Sequence, residues 1–380
     1  MTPDSTSVAI VGGGLSGLLA ALRLRQQGAA DVALFEARAV LGGRILSVDA
    51  AGASADAAVP ALDRFDLGPS WFWPEFQPPM DRLVDELGLA RLEQFDEGDL
   101  LIERSAREAP VRVGGQGATP PSMRLVGSTG ALVAAIAARL EPTWLHAGCA
   151  VRALRCAGEH VELDVEQSDG QRRTWRAEQV LLALPPRLAE RSITFEPPLP
   201  AELARRWQAT ETWMAPHAKY VAIFEAPFWR EQGLCGAARS RAGPMVEIHD
   251  ASMPGGHAAL FGFLGVPASV RRGVPDEVLR THCRAQLGRL FGERAERPVA
   301  DALKDWALDP LTATEADLTA SGQHPEAPPP VADHGPWRGR LQGIGSEWSP
   351  QFAGYLAGAV EAAERGVRSL ISAAAPTRGA

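Results

Sequence analysis

The tightest constraint on this chain lies in its first thirty-six residues. A short, largely β-branched run, Val8-Ala9-Ile10-Val11, leads into Gly12-Gly13-Gly14-Leu15-Ser16-Gly17. An apolar helical stretch continues to Leu24, Gly28 is placed to end it, and residues 31–36 read as a second strand closing on the acid Glu36. Strand, glycine turn, helix, strand and acid in that order form a dinucleotide-binding βαβ unit. Gly12 permits the tight turn off the strand, Gly14 lets the backbone approach a pyrophosphate, and Gly17 lets the helix pack closely on the sheet. The helix N-terminus, with Ser16 in its first turn, faces the negative charge, and Glu36 can accept hydrogen bonds from ribose hydroxyls.

Gly42-Gly43-Arg44 follows the acid closely. Two glycines permit close backbone approach and an arginine can neutralise a pyrophosphate, which favours FAD over NAD as the dinucleotide. A second glycine-rich segment near the C-terminus suits an extended cofactor lying across the domain.

Composition narrows the field. With 380 residues, 46% hydrophobic and 22% charged, the chain can bury a full core in an α/β fold of two ordinary domains. A net charge of −8 without a basic block argues against nucleic acid and against adhesion to an anionic membrane. No apolar run reaches the roughly 20 residues of a spanning helix, and no signal sequence precedes the first strand, so a soluble, cytoplasmic protein is expected. Cys149 and Cys156 could in principle pair, but Cys149, Cys156, Cys235 and Cys283 show neither metal spacing nor a disulfide framework, and read as reduced thiols. The eight histidines are scattered without metal spacing, and there is no GxSxG nucleophile motif; His217 and His249 could lie near the substrate, though a structural or exposed role is the ordinary reading.

Further along, a helix is expected over about 80–87, a strand over 100–103, and an amphipathic helix after Gly130. Residues 144–184 read as a three-strand antiparallel meander, turning at Asp169-Gly170, followed by a separate buried strand, Val180-Leu181-Leu182-Ala183-Leu184. Residues 50–60 and 319–336 read as loops, and 341–371 as a short strand, a turn and a long Ala-rich helix.

In order along most of the chain, these blocks resemble the flavin-containing amine oxidases, the family of monoamine, polyamine and L-amino-acid oxidases. The resemblance runs through Glu36-Ala37-Arg38, Leu41-Gly42-Gly43-Arg44, Asp66-Leu67-Gly68-Pro69-Ser70-Trp71, Val151, Lys219, Asp305-Trp306, Gly345-Ser346-Glu347 and Gly354-Tyr355-Leu356. It implies a noncovalent FAD held by residues from both ends of the chain, among them Gly12, Gly14, Ser16, Gly17, Glu36, Arg38, Gly43, Arg44, Gly68, Pro69, Ser70, Trp71, Val151, Trp306, Glu347 and Leu356. Val151 falls where the family contacts adenine, and Glu347 where it places an acid near the ribityl chain. The family also implies oxidative deamination of a small-molecule amine by hydride transfer to the flavin, with O2 as acceptor and H2O2 as product.

Lys219 matches the lysine that holds a water against flavin N5. Only it and Lys304 are lysines among 38 cationic residues, which tells against an ordinary solvated lysine; Lys304 reads as ordinary. Tyr355, one of two tyrosines, matches one wall of the aromatic pair that guides the amine. The other wall is missing after Trp306, leaving Trp306, Trp71 or Trp73 as substitutes. The family's multi-helix insert is also absent between 73 and 130, so the site is expected to be more open, or completed by a second subunit in a homodimer. The supply of Trp71, Phe72, Trp73, Trp213, Phe263 and Trp348 points to an apolar or aromatic monoamine. A desaturase-type oxidase of a carbon skeleton, as in the protoporphyrinogen oxidases and phytoene desaturases, shares the scaffold, and a non-catalytic flavoprotein is a third reading. The domain division expected is 1–79, 125–192 and 331–380 for FAD, and 80–124 and 193–330 for substrate.

Overall fold

A computed structural model describes residues 4–54, 62–115, 117, 119–319, 324 and 326–374. Much of the expected 50–60 loop, and part of the 319–336 loop, lie outside these residues. Among the described residues the strands form an eight-stranded mixed sheet, a seven-stranded sheet and two small ribbons.

The opening unit forms as its residues dictate. Strand Asp4–Val11 lies between Val32–Glu36 and Arg172–Leu182, parallel to both. Being interior, its Val8-Ala9-Ile10-Val11 stretch is fully buried. Helix Leu15–Gln26 ends in a Schellman motif: Gly28, at φ +83°, donates to Arg25 O, and Ala29 donates to Leu24 O. Gly17 is where helix meets strand, because a Cβ there would lie 2.0 Å from Gly12 O.

The meander differs from expectation. Its strands are Cys149–Ala157, His160–Gln167 and Arg172–Leu182, and the last already contains most of the buried run expected as a separate strand. On the side away from Asp4–Val11, this strand pairs with His160–Gln167 along residues 172–177 and with Leu341–Gly343 along Val180–Leu182. Alternating residues therefore give way to continuous apolar ones as the strand passes from the half-exposed part of the sheet into its centre. Leu145–Ala147, placed in the meander by its position, instead pairs in parallel with Val32–Glu36 at the sheet edge.

The seven-stranded sheet holds Ala218–Phe224 in its interior, antiparallel to both Ala258–Leu264 and Ala300–Asp305. All seven residues of Ala218–Phe224 are buried, Lys219 included.

The cores do not follow the expected borders. Helix Pro78–Leu87 sends Met80, Leu83, Val84 and Leu87 into the same core as the first and last helices, so it packs with the dinucleotide unit. Strand Thr194–Glu196 extends the first sheet, and Leu203 and Trp207 of helix Ala201–Ala209 pack under it. A separate core joins Phe65 and Leu67 to Val221, Phe261 and Ala302, packing the small ribbon Ser47–Asp49/Arg64–Asp66 against the seven-stranded sheet.

The Gly12–Gly17 contact gives a direct test. Gly17→Ala should lower stability by about 3 kcal/mol, since an added methyl meets backbone rather than a yielding side chain, and FAD affinity should fall with it. An unchanged urea midpoint would show that the helix does not need this approach.

Candidate active site

A cavity of about 720 Å³ runs between the two sheets. Gly12, Gly14, Leu15 and Ser16 line it where the first strand turns into its helix. That helix begins at Gly14 with no side-chain cap, so its first N–H groups are free for an anion. Gly43, at φ +60°, brings its backbone against Gly14, whose Cα lies 3.3 Å from where a Cβ on Gly43 would sit.

Glu36 sits beside this turn, 4% exposed. Its carboxylate accepts from Gly13 N at 2.7 Å and Arg38 N at 2.8 Å, so it shapes the glycine turn as well as facing the cavity. Arg38 also lines the cavity and donates to Asp309 at 2.9 Å and Thr312 at 3.1 Å. Burial pushes the Asp309 carboxyl up, but Arg38 and Lys304 outweigh it and hold it below its ordinary value. Lys304, 2.7 Å from Asp309, is thus a structural partner. Val151 lines the same region, next to Cys149.

Arg44 lines the cavity but is not a free cation. Its guanidinium forms a bidentate pair with Glu347, at 2.5 and 3.0 Å, and donates to Ser346 Oγ at 3.0 Å. Glu347 is fully buried behind it. The arginine expected against the pyrophosphate and the acid expected near the ribityl chain are therefore partners, clamping the two ends of the sequence together. Of the expected cofactor residues, Gly17 and Glu347 lie behind the lining; Gly12, Gly14, Ser16, Glu36, Arg38, Gly43, Arg44, Gly68, Pro69, Ser70, Trp71, Val151, Trp306 and Leu356 are all on it.

Lys219 and Tyr355 line the same cavity. The Lys219 ammonium, 2% exposed, donates to Gly68 O at 3.0 Å and Ser70 Oγ at 2.7 Å. It lies 4.0 Å from the centroid of the Phe261 ring. Burial lowers its pKa to about 7, against the opposing pull of Asp66. Asp66 is also buried, which raises its carboxyl pKa, and its Oδ1 accepts from Thr129 N and Oγ1 at 2.9 and 2.7 Å. An ammonium has three donors, so one hydrogen of Lys219 remains for whatever occupies the cavity. Trp306, held by its Nε1 donating to Leu67 O at 3.0 Å, braces the same 67–70 segment.

Tyr355 stands just before the last helix, Leu356–Ala374, with Trp73 edge-on to it at 6.4 Å between ring centroids. Trp213, Met214, Phe263 and Glu247 also line this part of the lining and were not expected as site residues. Trp213 and Phe263 were visible only as members of an aromatic supply. His217 and His249, expected to be structural or exposed, lie at cavity walls. His217 lines the main cavity, its Nδ1 buried without a protein partner. His249 lines a second cavity of about 370 Å³, which shares Trp71, Trp73 and Glu247 with the first. Residue spacing within a strand could have flagged His217, two positions before Lys219 and so on its side of the strand.

The cysteines are free thiols; only Cys149 of the four lines this cavity, beside Val151. Among the described residues no cluster of His, Cys, Asp and Glu could hold a metal, and no helix is long and apolar enough to cross a membrane.

The Lys219 environment gives a sign-definite expectation. Its pKa is lower folded than unfolded, so the cost of burying the charge is fully present below about pH 7 and shrinks as pH rises toward 10.5. The stability of Lys219→Met relative to wild type should therefore increase when urea unfolding is moved from pH 9 to pH 6. A difference independent of pH would mean that the lysine pKa is not displaced.

The flavin-containing amine oxidoreductase family model matches residues 100–371, and an NAD(P)-binding Rossmann-like model matches residues 10–87. Putrescine oxidase from Kocuria rosea is 31% identical over 211 residues, which cover 53% of this chain and 44% of that protein. Flavin-containing amine oxidase B from Homo sapiens is 28% identical over 211 residues, covering 52% of this chain and 38% of the relative. The matched stretch thus spans less than half the length of these curated relatives. Among solved structures, putrescine oxidase bound to putrescine superposes with a TM-score of 0.76 at 20% identity, covering 97% of this chain and 99% of that one. Cyclohexylamine oxidase from Brevibacterium oxydans IH-35A gives 0.77 at 18% identity, covering 98% and 100%. At these identities the structural likeness speaks for the fold. With the family model spanning most of its length and the glycine turn, Glu36 and Arg44 meeting at one cavity, the chain belongs to the flavin-containing amine oxidoreductase family, and FAD, held noncovalently, is its cofactor.

Proposed function

We propose that this protein carries out oxidative deamination of an apolar or aromatic monoamine. The observation that carries this reading is Lys219, a buried ammonium fixed on Gly68 and Ser70 at a cavity wall shared with Trp71, Phe263 and Tyr355. When bound, FAD would supply the two-electron acceptor for the hydride of the amine α-carbon, to be regenerated by O2 and a proton with formation of H2O2, and water would hydrolyse the imine.

The residues of the chain orient the amine and exclude water. A second cation is disfavoured beside Lys219 among aromatic walls, so the amine is held in its neutral form, with its lone pair available to assist hydride loss. Glu247 is a carboxylate of this region, and it is already bound to His249 at 2.7 Å and Arg239 at 2.5 Å. Burial raises the Glu247 carboxyl, but His249 and Arg239 outweigh it and hold it ionised. A matched acid offers little to the distal ammonium of a diamine, which supports a monoamine. Free thiols are consistent with action in the cytoplasm, and closure of the shortened lid by a second copy of the chain belongs to the same reading.

Anaerobic mixing with a panel of aryl-alkyl amines, aliphatic amines and a 1,4-diamine should bleach the flavin with the first group fastest. The rate should rise with pH through the pKa of the bound amine. No bleaching by any amine, or bleaching only by a non-amine donor, would overturn the assignment. Preference for the diamine would overturn the monoamine part alone.

A further inference from the structure

One aromatic contact at the cavity is left over from this account. His324 stacks on Trp213 with centroids 3.7 Å apart and planes at 25°, and on Tyr355 at 4.3 Å and 21°. Two rings cannot share one face of an imidazole at such distances. Trp213 and Tyr355 therefore lie on opposite faces, and the imidazole is sandwiched between them. Its Nδ1 donates to Ala353 O at 2.9 Å. The imidazole is thus held as a ligand is held, by two ring faces and one hydrogen bond.

The walls are built into the fold. A Cβ on Gly354, at φ +82°, would lie 2.4 Å from Trp213 Cβ, so the indole reaches its place only because residue 354 is glycine. Upstream, Thr212 N donates at 3.1 Å to Asp317, a buried carboxylate that also pairs with Arg187 at 2.6 Å. Trp73 packs edge-on against Tyr355. Trp213, Gly354, Tyr355 and Trp73 all line the main cavity, whereas His324 itself is exposed and can rotate away without unpacking a core.

We propose that Trp213 and Tyr355 form a slot one ring thick, and that His324 is its internal occupant, which an amine bearing a planar ring displaces. The slot admits a flat aromatic or delocalised cationic ring between its faces. A small aliphatic amine has no ring to place there and leaves His324 where it is. His324 thereby sets a selectivity threshold: the apparent affinity of a planar-ring amine is reduced by the fraction of molecules in which the slot is filled. The substrate part of this inference rests on the amine-oxidation reading; the existence of the slot does not.

The test therefore begins with binding. Imidazole is titrated by calorimetry into the FAD-loaded protein as wild type, His324→Gly, His324→Phe and the double variant His324→Gly/Trp213→Ala. Saturable binding should appear in His324→Gly alone, because wild type and His324→Phe fill the slot themselves and the double variant lacks a wall. Equal binding by wild type and His324→Gly, no binding by His324→Gly, or binding that survives loss of Trp213 would each overturn the slot. In turnover, His324→Gly should lower KM for an aryl-alkyl amine about tenfold relative to a small aliphatic amine, the scale of a ring contact made on both faces. An unchanged ratio would overturn the role in selectivity. If no amine is turned over, the function proposed above fails while the imidazole result still decides the slot.

Discussion

The reach of Lys219 from the seven-stranded sheet to the segment after the small ribbon is the interaction around which the site is arranged. The lysine belongs to an interior strand of the seven-stranded sheet, and its two acceptors, Gly68 O and Ser70 Oγ, belong to the segment that follows the small ribbon of the FAD-binding half. A buried ammonium without partners would be costly, so the two halves are held in the register that satisfies it. Trp306 reinforces this by donating to Leu67 O from the far side of the same strand group. Phe65, Leu67, Val221 and Phe261 then fill the seam with apolar contact.

The cofactor side uses a different device, the matched ion pair. Arg44 with Glu347 and Arg38 with Asp309 each join segments distant in sequence, and each leaves little net charge at the cavity wall. The N-terminus of the first helix, which no side chain caps, is the feature of this wall suited to an anion. Burial pushes the pKa of Lys219 close to neutrality, and Asp66, near enough to influence it, is itself pulled toward neutrality by burial.

Much of this was legible in the sequence because it depends on local chemistry. The glycine turn, Glu36 and the helix end at Gly28 follow from neighbouring residues, and Lys219 stood out because the chain otherwise writes its cations as arginine. What escaped depends on packing between distant segments. Nothing near Arg44 reveals that Glu347 will occupy its guanidinium, and nothing near Trp213 reveals a glycine at 354 that lets it approach Tyr355. Helix Pro78–Leu87 likewise has an apolar face, but only the fold shows that this face meets the first and last helices. A lone histidine such as His217 carries little signal until the strand that follows it, Ala218–Phe224, and the cavity beside it are known.

We propose for Lys219, buried and poised near neutrality, that its cation serves the reaction of the reduced cofactor with oxygen. The most direct measurement is the rate at which chemically reduced, FAD-loaded protein reoxidises in O2 as a function of pH, in wild type and Lys219→Met. The account predicts a wild-type rate that falls as pH rises through about 7, as the ammonium loses its charge. In Lys219→Met it predicts a rate about a hundredfold slower at low pH, in line with loss of one preorganised donor, and without that transition. Superimposable profiles for the two proteins would contradict it.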